Sequence, residues 1–357
     1  MKTKTPARRR SRALALSLLL PLGLAACSAN GSGGGSDSGE SIAVNAFSVM
    51  EAANVPVFED FVATDAAGGM SADDFVTSYG ASGDQSRAVV AGADADVVHY
   101  SLETDITRLV DEGLVDENWK DTPTKGIATS SVVAFVVREG NPLGIETWDD
   151  LVEKDVEIIT PNPGSSGSAR WNILGAWAHV TGNGGTDEEA AEFLTELLGN
   201  TIALPASGRE ATTAFTDGSG DVLLSYENEA ILAKQNGAEV DYIVPPDTLR
   251  IDNPAAVTTS ADDTAKAFLE FMTSPEAQAD YAASGFRPVI DGVDIPEVEG
   301  ANDPADPFPT PEQLFTIDDL FGGWGVAADT FFGDGEDGNP LGIVTKIQQE
   351  TGKVGEE

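Results

Sequence analysis

Cysteine is almost absent from this chain of 357 residues: Cys27 is the only one, so no internal disulfide and no cysteine-built metal site can form. Histidine is nearly as scarce. His99 falls in an apolar run and His179 near the end of a helical one, and each is expected to be packed or superficial rather than a base or a metal ligand. Basic residues number 20 against 60 acidic ones. A surface of that sign excludes recognition of nucleic acid, or of an anionic membrane, through charge. Long apolar runs are missing outside the start of the chain, so the body has no candidate membrane span. No P-loop or dinucleotide fingerprint occurs, and no cofactor is expected. Asp334-Gly335-Glu336-Asp337-Gly338 fails the ligand spacing of a calcium loop and reads as a solvated loop.

What is present begins with the first residues. Lys2, Lys4, Arg8, Arg9, Arg10 and Arg12 precede an apolar run, Ala13 to Ala26, which closes on Leu24-Ala25-Ala26-Cys27. This resembles a bacterial lipoprotein signal, cleaved before a cysteine that carries the lipid. Pro21, Gly23 and the short apolar length disfavour a transmembrane anchor, and Arg8-Arg9-Arg10-Ser11 leaves twin-arginine export open. The expectation is a signal peptide over 1–26, lipidation of Cys27, and a Gly/Ser tether over 27–40 that holds the body at the outer, periplasmic face of the cell membrane. Removing 1–26 takes away six basic and no acidic residues, leaving 14 against 60 and a formal charge of −46.

The body alternates strand-like and helix-like runs, which implies α/β architecture with parallel-rich sheets. Ile42 to Phe47, Ala95 to Tyr100, Val132 to Val137, Val156 to Thr160, Thr201 to Pro205 and Asp221 to Tyr226 read as strands. Trp171 to Val180, Glu188 to Leu198, Ala211 to Phe215 and Asp262 to Ala283 read as helices, with Ser274-Pro275 starting a new turn in the last. Three strand ends pass through small residues into a helix: at Ser82, at Ser166 to Ser168, and at Gly208. Such turns leave backbone N–H groups unpaired, and ligands of open α/β sheets sit outside the carboxyl ends of the strands. The serines of these turns have no candidate base at useful spacing, and Glu227 with Glu229 reads better as charges near a hinge than as a catalytic acid pair.

The motifs then match a family. Ser82-Gly83-Asp84-Gln85, Ala95-Asp96-Val97-Val98, Gly140-Asn141-Pro142, Ile159-Thr160-Pro161-Asn162-Pro163, Ser165-Ser166-Gly167, Ala169-Arg170-Trp171-Asn172, Gly220-Asp221-Val222-Leu223, Glu227-Asn228-Glu229, Ser274-Pro275-Glu276, Phe286-Arg287-Pro288 and Phe321-Gly322-Gly323-Trp324 occur in that order. Together they resemble the periplasmic sulfate-binding proteins that feed ATP-driven sulfate and thiosulfate importers, from about Asn45 to about Ile347.

The resemblance implies an α/β, two-lobed periplasmic-binding-protein fold of type II with two crossovers between lobes. It divides the chain into a first lobe from 41–131 and 241–303, a second lobe over 132–240, and a wrapping segment over 304–357. It implies a monomer that closes on dehydrated sulfate and delivers it to an ABC permease with its ATPase subunits, and it implies no enzymatic activity. The matched ligand-binding positions are the N–H of Ser82, the hydroxyl of Ser166, the N–H groups of Gly167, Ser168 and Gly208, and Tyr226. The family usually has glycine at the position of Ser168, alanine at that of Gly208, and at that of Tyr226 a tryptophan whose indole donates to the ion. Phe47-Ser48-Val49-Met50-Glu51 also stands where an Asp-Pro-Thr-Arg run is expected. Arg170 and Arg209 are expected to pair with carboxylates rather than touch the ion. Thiosulfate, then molybdate, are the alternative ligands; an envelope sulfate or phosphate ester hydrolase and a purely structural lipoprotein are the rival classes.

Overall fold

In the computed structural model the described residues are 41–335 and 340–353; the expected signal peptide, Cys27 and the tether lie outside them. The first elements are β1 (Ile42–Phe47), α1 (Met50–Val62), β2 (Phe75–Gly80), α2 (Ser82–Val90), β3 (Val97–His99) and α3 (Glu103–Asp111). β1 lies between β2 and β3, parallel to both. With a neighbour on each edge and helices on its faces, all six of its residues are buried, which is why it reads as a continuous apolar run.

The next stretch carries β4 (Ile127–Arg138), α4 (Asp150–Glu153), β5 (Ile158–Ile159), α5 (Gly167–Gly182), α6 (Asp187–Gly199), β6 (Thr201–Ala203), α7 (Gly208–Thr216), β7 (Val222–Tyr226), α8 (Glu227–Gln235) and β8 (Val240–Ile243). Here β5 is parallel to β6 and to β7. The chain returns through β9 (Asp247–Val257), α9 (Asp263–Phe271) and α10 (Pro275–Ala283). It ends with β10 (Gln313–Phe315), α11 (Ile317–Phe321), α12 (Trp324–Phe332) and α13 (Ile343–Thr351).

Two long strands join the halves. β4 pairs with β9 over Ile127 to Val132 and with β7 over Val133 to Val137, while the far end of β9 pairs with β3. The strand order is therefore β2-β1-β3-β9-β4-β7-β5-β6, two parallel sets of three bridged by antiparallel crossovers. Side chains of β4 alternate, as a strand's must. Val133, Phe135 and Val137 enter the largest apolar cluster, whereas Ala134 and Val136 join a second one with Phe215 and Ile231. A third cluster, around Val98, Tyr100 and Leu109, fills the other face of the first half.

Several elements outrun their sequence signals. β4 begins before Val132, at Ile127. α5 begins at Gly167 rather than Trp171, because its first turn is made of Gly, Ser and Ala with no apolar period to betray it. β9 runs through Arg250, Asp252, Asn253 and Pro254, polar residues whose place in a strand comes from their pairing with β4. The expected wrapping segment holds α12 and α13, neither of which the local pattern announced. Trp324 meets Trp171 edge-on at 4.6 Å and Phe331 meets Trp177 at 4.8 Å, so this segment is fastened to the flank of α5.

Candidate functional site

Ser82, Ser166 to Ser168, Gly208 and Tyr226 all stand at carboxyl ends of parallel strands, after β2, β5, β6 and at the end of β7 respectively. The two parallel sets run in opposite directions, with three antiparallel pairings between them, and their carboxyl ends meet where the Gly83 N–H reaches Ser165 O, so the helices that follow present their N-termini to one space from opposite sides. Ser82 is 2% exposed, Ser166 3%, Ser168 5% and Tyr226 0%.

One hydroxyl-bearing residue ties them together. The N–H of Ser101 donates to Ser82 Oγ at 2.9 Å, and Ser101 Oγ lies 2.7 Å from Tyr226 Oη. A Cβ on Gly167 would come within 2.4 Å of Ser101 Oγ, and one on Gly208 within 2.8 Å of Ser168 Oγ. The side chains of Ser168 and Asn253 lie close enough to act on the Tyr226 phenol. The six sequence-read residues thus form one buried group. The Gly83 N–H donates to Ser165 O at 3.1 Å, and Trp171 Nε1 donates to Ser101 O at 2.9 Å, so the two halves touch directly.

Local capping leaves donors unspent. Ala81, the N-cap of α2, has no polar side chain, and the Ser166 side chain makes no cap bond to α5. α7 is capped by Ser207, whose hydroxyl accepts from the Glu210 N–H at 3.2 Å, leaving the Gly208 N–H unclaimed by that cap. The orphan N–H groups of a helix start carry partial positive charge, and together with the dipole they suit an anion.

The surrounding charges are arranged as supports. Asp105, 2% exposed, accepts from Ser82 Oγ at 2.6 Å and from Arg108 at 3.0 Å. Arg209 meets the expectation, pairing with Glu229 at 3.1 Å. Burial pushes the Glu229 carboxyl up, against the pull of Arg209 and the Thr212 hydroxyl. Arg170 departs from the expectation: among the described residues it forms no ion pair, donating instead from Nε to Pro163 O at 2.9 Å and lying 4.8 Å from the Phe332 ring. Glu227 and Glu229 are separate. Glu227 is gripped by Arg287 at 2.6 and 3.0 Å, which anchors the start of α8 just behind Tyr226.

Burial pushes the Tyr226 phenol well above its ordinary value, so it keeps its proton across physiological pH and remains a donor. His99 is buried and pushed down to about 3, with Nε2 3.2 Å from Thr129 Oγ1. His179 engages Asp247 at 2.7 Å and Asp149 at 3.2 Å. Neither imidazole hydrogen-bonds a serine of the turns. Among the described residues no group of three or more His, Cys, Asp or Glu side chains could hold a metal. The arrangement can bind and enclose an anion with neutral donors.

Sequence reasoning missed Ser101, Asp105 and Asn253. A signal was available for the first two: Tyr100-Ser101-Leu102-Glu103 leaves β3 and enters α3, a fourth strand-to-helix turn of the kind already counted. Asn253 sits mid-strand in β9 and has no local signal.

Comparison with known proteins gives a consistent picture. The family model for bacterial extracellular solute-binding proteins matches residues 44–287. A sulfate-binding protein of Synechococcus elongatus is 46% identical over 283 residues, 77% of each chain. A thiosulfate-binding protein of Escherichia coli is 36% identical over 270 residues, 72% of this chain and 78% of that one. The solved structure of the sulfate-binding protein SubI from Mycobacterium tuberculosis superposes with a TM-score of 0.74 at 45% identity, covering 81% of this chain and 98% of the other.

Proposed function

The chain belongs to the bacterial extracellular solute-binding proteins, in their sulfate-binding branch, and from that membership we propose that it captures sulfate between two lobes outside the cytoplasm and hands it to an ABC importer. The observation that carries this reading is the convergence of helix starts from both halves on Ser101, with every carboxylate near them already engaged. In this reading the ion takes the N–H groups of Ser82, Gly167, Ser168 and Gly208, the Ser166 hydroxyl and the Tyr226 phenol. Hydrogen bonds to a charged partner contribute roughly 1.5 to 3 kcal/mol each, so five or six offset much of the cost of stripping water from a dianion. Sulfate carries no proton at neutral pH and needs donors only, whereas phosphate needs an acceptor for its own proton. Asp105 and Glu229, the nearest carboxylates, are occupied by Ser82 with Arg108 and by Thr212 with Arg209.

The rest of the proposal follows the same membership. The lobes divide as 41–131 with 241–303 and 132–240, closing about β4 and β9, and a lipid on Cys27 holds a monomeric receptor beside its permease and ATPase subunits. The protein turns nothing over. A second reading, thiosulfate, is favoured by Tyr226, a phenol that reaches the ion differently from an indole; molybdate follows it. Titration calorimetry of residues 28–357 with sulfate, thiosulfate, molybdate and phosphate tests both. The expected result is tight sulfate binding with phosphate silent. Preference for thiosulfate moves the assignment to the second reading, and turnover of an aryl sulfate ester would replace a receptor with a hydrolase.

A further inference from the structure

The mature chain carries only 14 basic residues against 60 acidic ones, yet three of the 14 gather at one edge of the candidate site. Arg87, Arg108 and Arg170 line a small crevice whose walls come from both halves, with Gly83 on one side and Ser165 to Gly167 on the other. Arg87 and Arg108 are 50% and 33% exposed. Arg87 pairs with Asp84 and Arg108 with Asp105, and Arg170 pairs with no carboxylate among the described residues, so three guanidinium groups there face two carboxylates. Asp105, Arg108 and Arg87 are also the charges that act on Arg170.

The placement of Arg170 runs against helix electrostatics. A cation in a first turn opposes the dipole. α6 shows the usual arrangement, with Asp187, Glu188 and Glu189 in its first turn, whereas α5 has no acid there and Arg170 instead. Its guanidinium is steered by Pro163 O and the Phe332 ring toward the crevice. A dianion approaching a body of formal charge −46 is repelled at long range; a local positive rim reverses that field over the last Debye length, about 8 Å at physiological salt.

We propose that Arg87, Arg108 and Arg170 form a capture site for the incoming oxyanion dianion, a transient landing point at the cleft mouth from which it passes to the neutral donors. This rests on the reading of the protein as an oxyanion receptor. Arginine acts here on the encounter and leaves the final complex to uncharged groups, so arrival is fast and release is not burdened by a contact charge.

Stopped-flow fluorescence with sodium sulfate, at rising sodium chloride, separates the two steps. In the wild-type protein the association rate falls with salt. In Arg170→Gln it drops about three- to tenfold at low salt and rises with salt, because only the acidic body then acts at a distance; Arg108→Gln shifts it in the same direction, and Arg170→Lys restores most of the rate. Dissociation changes less than twofold. An unchanged association rate with faster dissociation in Arg170→Gln would overturn the capture site while leaving the receptor standing. No sulfate response in the wild-type protein would overturn both.

Discussion

The two ends of α5 solve the same problem in opposite ways. Both carry unpaired backbone groups and the charge of the helix dipole. At the C-terminal end the protein closes the account itself: His179 bonds Asp247 and Asp149, and Asn183 Nδ2 donates to His179 O at 2.7 Å and to Asp247 at 3.2 Å. At the N-terminal end nothing comparable is supplied. Ser166 makes no cap bond, the first turn has no acid, and Gly167 has no side chain where one would strike Ser101. A helix end finished by its own side chains is structural; an end left open, in a buried place where open donors are costly, is kept for something that arrives.

The largest test of that contrast is Gly167→Ala. A methyl 2.4 Å from Ser101 Oγ and 2.8 Å from Leu102 Cγ blocks the approach of the two halves at the open end of α5. Overpacking of this kind costs about 1 to 3 kcal/mol. Calorimetry should show sulfate affinity weakened by about ten- to hundredfold with the melting temperature of the unliganded protein almost unmoved. A large fall in that melting temperature would make the glycine a folding requirement instead.

Ser166→Ala comes next. It removes one donor from the ion and should cost on the order of 1 to 3 kcal/mol of sulfate affinity, read in the same titration; unchanged affinity would take Ser166 out of the site. At the closed end, His179→Gln should do the reverse, lowering stability by about 1 kcal/mol near pH 6 with sulfate affinity unaltered. The pH sign follows from the imidazole. Burial would push His179 down, but the hydrogen bond and charge of Asp247, then those of Asp149, push it up above its ordinary value. Its contribution is therefore fully present below the unfolded value near 6.5 and is lost as pH rises through the higher folded value. Chemical denaturation at a series of pH values should show the wild-type protein losing that increment across that window and His179→Gln losing none.

The smallest expected effect is none: sulfate affinity should stay nearly flat from pH 5 to 8. His99 is already neutral there, held down to about 3, and Tyr226 keeps its proton. Calorimetry at three pH values across the range checks this, and a steep loss would mean that a titrating group touches the ion.

How much of this was legible beforehand depends on whether the cause was local. β1, α6 and the Ser274-Pro275 start of α10 follow from patterns a few residues long, an unbroken buried run, a capping box at Thr186 with Glu189, and a serine cap before proline at the first helical position. The three small-residue turns were visible for the same reason. β9 was not, because Arg250, Asp252 and Pro254 belong to a strand only through partners on β4, while β10 and β3 pair with its two ends. Ser101 escaped because its bond to Tyr226 spans 125 positions. Arg170 is expected from the sequence to pair with a carboxylate, yet the chain sets the Pro163 carbonyl and the Phe332 ring beside it, a choice that no spacing reveals.

If the ion is held by neutral donors and by no titrating group, its binding exchanges no protons. Sulfate titrated by calorimetry at pH 5.5 in several buffers of different ionisation enthalpy counts the protons exchanged on binding. The expected result is an observed enthalpy independent of the buffer, meaning none exchanged; an enthalpy that follows the buffer, with about one proton taken up per ion, would place a titrating group on the ion instead.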